Sequence, residues 1–308
     1  MAGPGPARSP APEYARHLTA ADAPTFDLQS HSVHSDGALA PDAVVTAAAA
    51  AGVTLLALTD HDSTAGVAEA RRAAQRQGIQ LVPATEISAL EGRQELHILG
   101  YLIDPEDPAL ASALAHSRGD REARARAVAS ALIRLGFAVD TEAIEARIGL
   151  GESVGRPHLA QAAIDHPVNR ARLQAAGLLD PSAFLTEYLI EGRPAFVPRS
   201  APTVERAIEL IHGAGGVAVW AHPFWDVSKP SEVLALIDRF AALGLDGVEA
   251  FYATHTEAQA RVLADRCAEL GLLSTGSSDF HGPRHRIFSA FRAFDTYGLE
   301  ARLGPVTG

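Results

Sequence analysis

The sequence predicts an α/β fold whose parallel sheet or barrel is interrupted by a long helical segment. Short apolar runs alternate with Ala-rich helical segments over residues 25–104 and again over 194–295, whereas residues 105–193 are rich in Ala, Arg and Leu and show no strand pattern. Strand–helix–strand alternation makes neighbouring strands parallel, so their carboxyl ends gather on one face. We therefore expect a discontinuous barrel domain with a helical insertion (residues 105–193) that caps the mouth of the barrel.

The individual elements follow from local signals. Pro41 suits the first position of a helix that ends before Gly52, and Thr64 is expected to cap a helix that Gly78 closes. The expected strands begin at Phe26, cover 54–59, 79–86 (ending at Glu86) and 95–103, and resume at 216–222, 246–252 and 272–281. The strand at 95–103 follows a short loop around Gly92 and is expected to be antiparallel to the strand before it.

Composition limits the class of protein. The chain has 308 residues, a formal net charge of -11 and one cysteine, Cys267. The negative charge argues against broad nucleic-acid or membrane binding, and a single thiol excludes an intrachain disulfide and a Cys-rich metal cage. We expect a cytoplasmic protein with no membrane or stable nucleic-acid partner. Residues 1–24, rich in Pro and Ala, are predicted to be a disordered tail.

Ligand-type side chains recur where the predicted strands end. The first two strands are followed by two groups, His31, His34 and Asp36, then Asp60, His61 and Asp62, and the later strand ends carry Glu86, His222, Glu249, Asp279 and His281. His97 lies inside its own strand and, taken alone, reads as a core histidine. Imidazole and carboxylate together suit zinc, manganese or iron, and the lack of thiolates leaves room for an open, catalytic site. Bridged ions at such a site can activate water for phosphoryl or acyl hydrolysis.

Simpler interpretations apply to single residues. A lone histidine after a strand is more often a hydrogen-bonded structural group than a ligand, but several strands ending in ligand-type residues favour a metal site. Arg121, Arg124 and Arg126 are expected to form a solvated face of a helix.

Six segments in this order resemble the PHP family, named for polymerase and histidinol phosphatase. They read FDLQSHSVHSDG, LLALTDHD, VPATEIS, ELHILGY, VWAHP and GSSDFHG, and they cover roughly residues 26–103 and 195–290. The insertion after HILGY, with GRPH at 155–158, is similar to that of the stand-alone phosphoesterases. The resemblance implies a distorted seven-stranded (βα) barrel with two or three divalent ions at its mouth, manganese first and zinc, iron or magnesium as the other choices.

The resemblance also implies roles for particular residues. One ion would bind His31, Glu86 and Asp279; a second would share Glu86 and add His97 and His222; a third would take Asp36, His61 and His281. Glu86, as the bridge, and Asp279, as a proton shuttle, are the implied catalytic residues. The chain departs from the usual first motif, because Gln29 replaces a histidine. An amide is a weaker ligand than imidazole, which leaves the number of ions at two or three.

The implied substrate is a small phosphorylated metabolite. Arg156, His158, Arg199 and Arg286 are the candidates for holding its phosphate, since guanidinium groups bind phosphate with two hydrogen bonds. The preferred activity is removal of the 3′-phosphate from nucleoside 3′,5′-bisphosphates. The alternatives are a 5′-to-3′ exoribonuclease acting on short RNA and a non-catalytic PHP module that binds a phosphorylated ligand, which only Gln29 supports.

Overall fold

Seven strands form one sheet in the order of the chain. The computed structural model describes residues 24–149 and 154–307; the tail predicted for residues 1–24 lies, apart from Pro24, outside the described residues. The strands are β1 Phe26–Asp27, β2 Leu55–Leu58, β3 Gln80–Glu91, β4 Gln94–Tyr101, β5 Val217–Trp220, β6 Gly247–Tyr252 and β7 Leu273–Ser277.

The sheet curls into a nearly closed barrel. All neighbouring strands pair in parallel except β4, which is antiparallel to both β3 and β5. The last strand returns to the first: the backbone N–H of Leu28 donates to the carbonyl of Gly276 at 3.2 Å, and Ser30 bridges Phe280. The prediction of a distorted seven-stranded barrel is confirmed.

The antiparallel strand corrects the expected end of β3 and explains the position of His97. β3 does not end at Glu86 but runs on to Glu91, turns at Gly92 and returns as β4. Glu86 therefore lies within a strand, at the level where the parallel strands end. Because β4 runs in the opposite direction, its first residues lie at the mouth, and His97, paired with Ser88, belongs to the mouth rather than to the core.

Helices surround the barrel and fill the long connection between β4 and β5. They are α1 Pro41–Ala50, α2 Val67–Gln77, α3 Pro108–Arg134, α4 Thr141–Gly149, α5 Arg156–Asp165, α6 Arg170–Ala176, α7 Pro181–Tyr188, α8 Val204–Gly213, α9 Pro223–Asp226, α10 Pro230–Ala242 and α11 Glu257–Leu270. Short 3₁₀ helices occupy Pro167–Asn169 and Gly304–Thr307. None of the helices in the described ranges is long and apolar enough to cross a membrane.

The local signals were mostly reliable. Pro41 begins α1, and Gly78 ends α2 in the left-handed conformation that glycine favours. The expected cap at Thr64 is wrong. Helix α2 begins at Val67 without a side-chain cap, and the Thr64 hydroxyl donates instead to the carbonyl of Pro105 at 3.3 Å.

Two apolar cores meet in α3. Leu110 and Leu114, near its start, pack with the barrel helices, whereas Val128 and Leu132, near its end, pack in a separate core of the helical insertion. Burying each such side chain contributes about 1.5–3 kcal/mol. One helix thus fixes the insertion to the barrel, with the face between these contacts turned toward the mouth.

Candidate metal centre and substrate cavity

Four histidine rings surround the carboxylate of Glu86. Glu86 is fully buried. Its Oε2 lies 3.2 Å from His31 Nε2 and 3.4 Å from His61 Nδ1. Its Oε1 lies 3.1 Å from His97 Nδ1 and 3.2 Å from His222 Nε2. Both oxygens of one carboxylate are therefore shared between side chains that come from β1, β2, β4 and β5.

Two further carboxylates, those of Asp36 and Asp279, complete the group. Asp36 Oδ1 lies 3.3 Å from His281 Nε2, and Asp36 Oδ2 lies 3.6 Å from His61 Nε2. Asp279 Oδ1 lies 3.0 Å from His31 Nε2. The structure thus brings together all eight residues expected as ligands, here called the histidine–carboxylate cluster: His31, Asp36, His61, Glu86, His97, His222, Asp279 and His281.

The donor atoms of the cluster fit divalent ions. Buried atoms of six members have no hydrogen-bond partner although they lie close to opposite charges: His31 Nε2, Asp36 Oδ1, His61 Nδ1, His97 Nδ1, His222 Nδ1 and Asp279 Oδ1. Two ligand atoms that each lie about 2.1 Å from one ion are separated by about 3.0–3.4 Å at tetrahedral or octahedral angles. The separations in the cluster, 3.0–3.6 Å, are of this size, so these unpaired atoms converge as ligands do.

The ligand atoms form three groups whose members lie within 4.8 Å of one another. They are His31 with Asp36, His61 and His281; His61 with Glu86 and His97; and His97 with His222 and Asp226. These groups overlap the three ligand sets implied by the family resemblance, but they divide the residues differently. Asp226 enters the third group, although the sequence did not single it out.

Burial and charge set the protonation of the cluster. Burial lowers the pKa of His61 to about 3, so this ring is neutral and available as a ligand. Burial alone would lower the pKa of His222, but its hydrogen bond to Glu86 outweighs this and raises it to about 10. Burial likewise opposes ionisation of Glu86, yet the surrounding histidines, His61 and His97 foremost, hold its pKa well below the usual range.

Strained backbone marks the strand ends that carry the site. Asp62, His222 and Asp279 have positive φ values of 51°, 31° and 54°, a region that non-glycine residues enter at a cost of about 1–3 kcal/mol. The loop from His31 to Asp36 is also tight, because a Cβ atom on Gly37 would lie 2.2 Å from the His31 carbonyl oxygen. Turns of this kind aim side chains into the mouth rather than along the chain.

Gln29 contacts the cluster directly. It is fully buried, its Nε2 donates to Glu86 Oε2 at 3.0 Å, and the Ser277 hydroxyl donates to its Oε1 at 3.4 Å. The amide therefore lies beside the cluster and contacts Glu86 through a hydrogen bond.

Of the two aspartates that flank His61, neither joins the cluster. Asp60 accepts hydrogen bonds from the backbone and hydroxyl of Ser32 and from the hydroxyl of Ser35, at 2.7–2.8 Å. Asp62 accepts from Ser88 and from arginines. Asp60 thus shapes the first loop, whereas Asp62 connects the cluster to its cationic neighbours.

A cavity at the mouth of the barrel is lined both by cluster residues and by four arginines. The arginines are called here the arginine group: Arg121, Arg124, Arg156 and Arg199. Arg121 and Arg199 both contact Asp62 Oδ2, the latter at 2.9 Å. Arg124 and Arg156 contact the two oxygens of Glu95 at 3.2 and 3.1 Å. Four guanidinium groups thus share two carboxylates, which leaves an excess of positive charge.

The expectation of a solvated arginine face is wrong for two of its three members. The side chains of Arg121 and Arg124 are only 15% and 11% exposed, because they lie three residues apart on the face of α3 that covers the mouth. Arg126 points away, is 45% exposed and pairs with Glu145. Only this last arginine fits the prediction.

Of the four residues expected from sequence to bind the substrate, three line the cavity and one does not. Arg156, His158 and Arg199 line the cavity. The Nδ1 of His158 accepts from the backbone N–H of Gly155 at 3.1 Å, so in the neutral ring Nε2 carries the proton. The structure does not bring Arg286 to the cavity: it is exposed, and its neighbours in the loop after β7 provide the lining instead.

Sequence reasoning missed three residues at the mouth. Asp226 Oδ2 lies 3.7 Å from His222 Nδ1, and the spacing of four residues after a strand-end histidine was the available signal. The Tyr252 hydroxyl donates to Asp279 Oδ2 at 2.8 Å. Trp225 lines the cavity from α9. The aromatic residues had no sequence signal, because a Tyr or Trp near a strand end usually belongs to the core.

Comparison with known proteins agrees with the geometry. Residues 27–140 match the model of the PHP domain family. The chain is 36% identical over 259 residues to a 3′,5′-nucleoside bisphosphate phosphatase of Chromobacterium violaceum, covering 84% of this chain and 87% of the relative. It is 35% identical over 258 residues to a 5′-3′ exoribonuclease of Haemophilus influenzae, covering 84% and 90%. A solved amidohydrolase structure from C. violaceum, with bound sulfate and no metal, superposes with a TM-score of 0.76 at 33% identity, covering 92% of this chain and 93% of that one.

A barrel of this kind, with a histidine–carboxylate cluster and arginines at one mouth, defines a metal-dependent phosphoesterase. The chain belongs to the PHP family.

Proposed function

We propose that the protein removes the 3′-phosphate from nucleoside 3′,5′-bisphosphates. The observation that carries this proposal is the presence of two anion-binding features in one cavity of about 470 Å³: the histidine–carboxylate cluster and the arginine group. A substrate with one phosphate would leave one of the two features without a partner. The name of the C. violaceum relative supports the same substrate class.

The cluster residues would hold the ions, with Glu86 shared between two of them. Divalent ions bound there would supply an activated water and neutralise the oxygens of the phosphate that is cleaved. The metal identity that we propose is manganese, because neutral imidazole and carboxylate ligands suit borderline divalent ions.

The arginine group would hold the second phosphate. Two of its buried nitrogen atoms, Arg124 Nη2 and Arg199 Nε, have no hydrogen-bond partner, and unpaired buried donors are costly. A phosphate dianion would accept from these donors, neutralise the excess charge and accept a further hydrogen bond from Nε2 of His158. Binding would thus provide partners for these buried donors.

Asp279 would act as the proton acceptor next to the cleaved phosphate. Burial raises its pKa, but the neighbouring His281 and His31 outweigh this and lower it, so Asp279 is ionised at neutral pH. Burial and the adjacent Asp279 raise the pKa of Tyr252 well above its ordinary value, so its hydroxyl stays protonated and keeps Asp279 oriented.

A second candidate function is 5′-to-3′ hydrolysis of short RNA. The H. influenzae relative is nearly as similar to this chain as the phosphatase is. The same cluster would cleave a phosphodiester while the arginine group held a terminal 5′-phosphate. For either activity we propose a cytoplasmic location, in line with the single, buried Cys267.

A panel of substrates with manganese tests the proposal. We expect phosphate release from adenosine 3′,5′-bisphosphate to exceed release from adenosine 3′-monophosphate, adenosine 5′-monophosphate and histidinol phosphate by at least about tenfold in kcat/KM. Faster cleavage of a short 5′-phosphorylated RNA would favour the exoribonuclease. Absence of hydrolysis of every substrate, together with full metal content, would leave the non-catalytic alternative.

A further inference from the structure

Aromatic side chains form one side of the cavity. These side chains, called here the aromatic wall, are Trp225, Tyr252, His285 and Phe288. The Phe288 ring lies 5.5 Å from that of Trp225, 5.8 Å from that of Tyr252 and 5.2 Å from that of His285, the last pair stacked. These separations are typical of rings that pack against one another.

The aromatic wall and the arginine group stand on different halves of the barrel. The arginine group is anchored to Asp62, which follows β2, and to Glu95 at the start of β4. The aromatic wall comes from α9, which follows β5, from the end of β6 and from the loop after β7. Because the strands close in chain order, these halves face each other across the mouth, with the histidine–carboxylate cluster between them.

Trp225 has an exposure that the packing of the protein does not require. It is 50% exposed, whereas the other tryptophan of the chain, Trp220, is fully buried. Next to Phe288, Ile287 is 38% exposed and also lines the cavity. Apolar surface that faces a polar cavity in this way marks a place where a ligand covers it.

We propose that the aromatic wall is the subsite for the nucleobase of the substrate, with Trp225 as the residue on which the base stacks. The inference rests on the proposed function and adds the part of the cavity that would bind the base. In a nucleoside 3′,5′-bisphosphate the base and the 5′-phosphate are carried by the two ring carbons that flank the ring oxygen, both on the face opposite the 3′-oxygen, so they diverge from each other and from the 3′-phosphate. A 3′-phosphate at the cluster would therefore allow one of these groups to meet the aromatic wall and the other to meet the arginine group.

The proposal predicts a preference among substrates. Ribose phosphates that lack a base would bind the arginine group and the cluster but would leave Trp225 uncovered. Purine nucleotides would bind more tightly than pyrimidine nucleotides, because a purine offers the larger stacking surface. No base-specific hydrogen bond is needed for this, since every base has a π face.

Binding of the reaction product tests the proposal without turnover. With the manganese-loaded protein, adenosine 5′-monophosphate and ribose 5-phosphate are titrated by calorimetry and by tryptophan fluorescence. In Trp225→Leu, we expect the affinity for adenosine 5′-monophosphate to fall by about tenfold or more, as loss of a stacking partner does, and the affinity for ribose 5-phosphate to stay within about twofold. The nucleotide should quench fluorescence in the wild type and not in Trp225→Leu, whose remaining Trp220 is buried.

Leu270→Ala provides a control, because Leu270 is a partly exposed apolar residue at the end of α11, away from the residues that line the cavity. Its two affinities should equal those of the wild type. Equal losses for both ligands in Trp225→Leu, or no loss for either, would overturn the base subsite. If no bisphosphate is hydrolysed but Trp225→Leu still loses affinity for adenosine 5′-monophosphate alone, the proposed phosphatase activity is wrong while the base subsite is supported.

Discussion

Replacing Asp62 by Asn should destabilise the protein and loosen the arginine group. Asp62 is fully buried and accepts hydrogen bonds from the backbone N–H and hydroxyl of Ser88, at 3.0 and 3.1 Å, and from Arg121 and Arg199. Asn has the same shape and tolerates the positive φ of 51° at this position. The substitution therefore removes the negative charge and little else.

The expected loss of stability is about 3 kcal/mol. Removing one partner from a buried ion pair costs about 3–5 kcal/mol. The low end applies because the side chains of Arg121 and Arg199 are still 15% and 7% exposed. A loss of 1 kcal/mol lowers the Tm of a 150–250-residue domain by about 2–4 °C. The Tm of Asp62→Asn should accordingly fall by about 6 °C or more.

The pH dependence follows from the direction of the pKa shift. Burial alone would raise the pKa of Asp62, but Arg121 and Arg199 outweigh burial and hold it below the ordinary value. A lowered pKa in the folded state gives stability that is fully present above the unfolded value of about 3.9 and is lost as the pH falls through the folded value. The difference between wild type and variant should be constant from about pH 5 to 8 and should shrink below about pH 4.

Thermal unfolding followed by circular dichroism at several pH values, with and without manganese, measures the difference. Asp238→Asn is a matched control: Asp238 also pairs with an arginine, Arg266, but is 48% exposed, and exposed pairs contribute about 0–1 kcal/mol. A Tm of Asp62→Asn within 1–2 °C of the wild type, no lower than that of the control, would refute the role given to the buried charge.

Three further changes test the histidine–carboxylate cluster and the arginine group. Glu86→Gln should lower the metal content measured by mass spectrometry and reduce phosphate release by more than about 100-fold, since loss of even an indirect partner of a metal costs about 10- to 100-fold; unchanged metal content would exclude Glu86 as a bridge. Gln29→His should tighten binding of one ion in a competition titration with a chromophoric chelator, because imidazole replaces an amide next to Glu86; equal affinities for all ions would place residue 29 outside the ligand set. Arg156→Ala should raise KM for a bisphosphate by about tenfold, the effect of losing a charged hydrogen bond, and should leave KM for a monophosphate unchanged. In the control variant Arg126→Ala, both KM values should equal those of the wild type. Equal effects of Arg156→Ala on both substrates would show that Arg156 does not bind the second phosphate.

The order of the strands could be predicted from sequence, but how far each strand extends toward or beyond the mouth of the barrel could not. Apolar runs and glycine signals placed most elements, because those signals act over a few residues. Glu86 was assigned wrongly to a strand end, and the local pattern of His97 alone indicated a core position, so that only the family resemblance named His97 as a ligand. The sequence predicted that β4 is antiparallel to β3, but how far their hairpin, with Gly92 at its turn, rises above the mouth depends on the register of β4 against both β3 and the distant β5.

The charged residues of the insertion show a second limit. Arg121 and Arg124 have the sequence pattern of a solvated helix face, and only the docking of α3 onto the barrel turns them inward to Asp62 and Glu95. By contrast, the eight cluster residues could be named before the structure, because each follows a distinctive motif. Motifs report residues that are fixed by local backbone geometry, whereas docking between distant segments leaves no local pattern.

The spacing between the histidine–carboxylate cluster and the arginine group is set by the barrel rather than by the insertion. His61 and Asp62 are consecutive residues, and the positive φ of Asp62 sends the first side chain to the cluster and the second to the arginine group. On β4, Glu95 and His97 are separated by one residue and divide in the same way between the arginine group and the cluster. The insertion brings arginines, but the carboxylates that position them belong to the strands that hold the ligands. The distance at which the proposed sites would hold two phosphates is therefore fixed by two short backbone segments, and selectivity for the separation of the phosphates should survive changes elsewhere in the insertion.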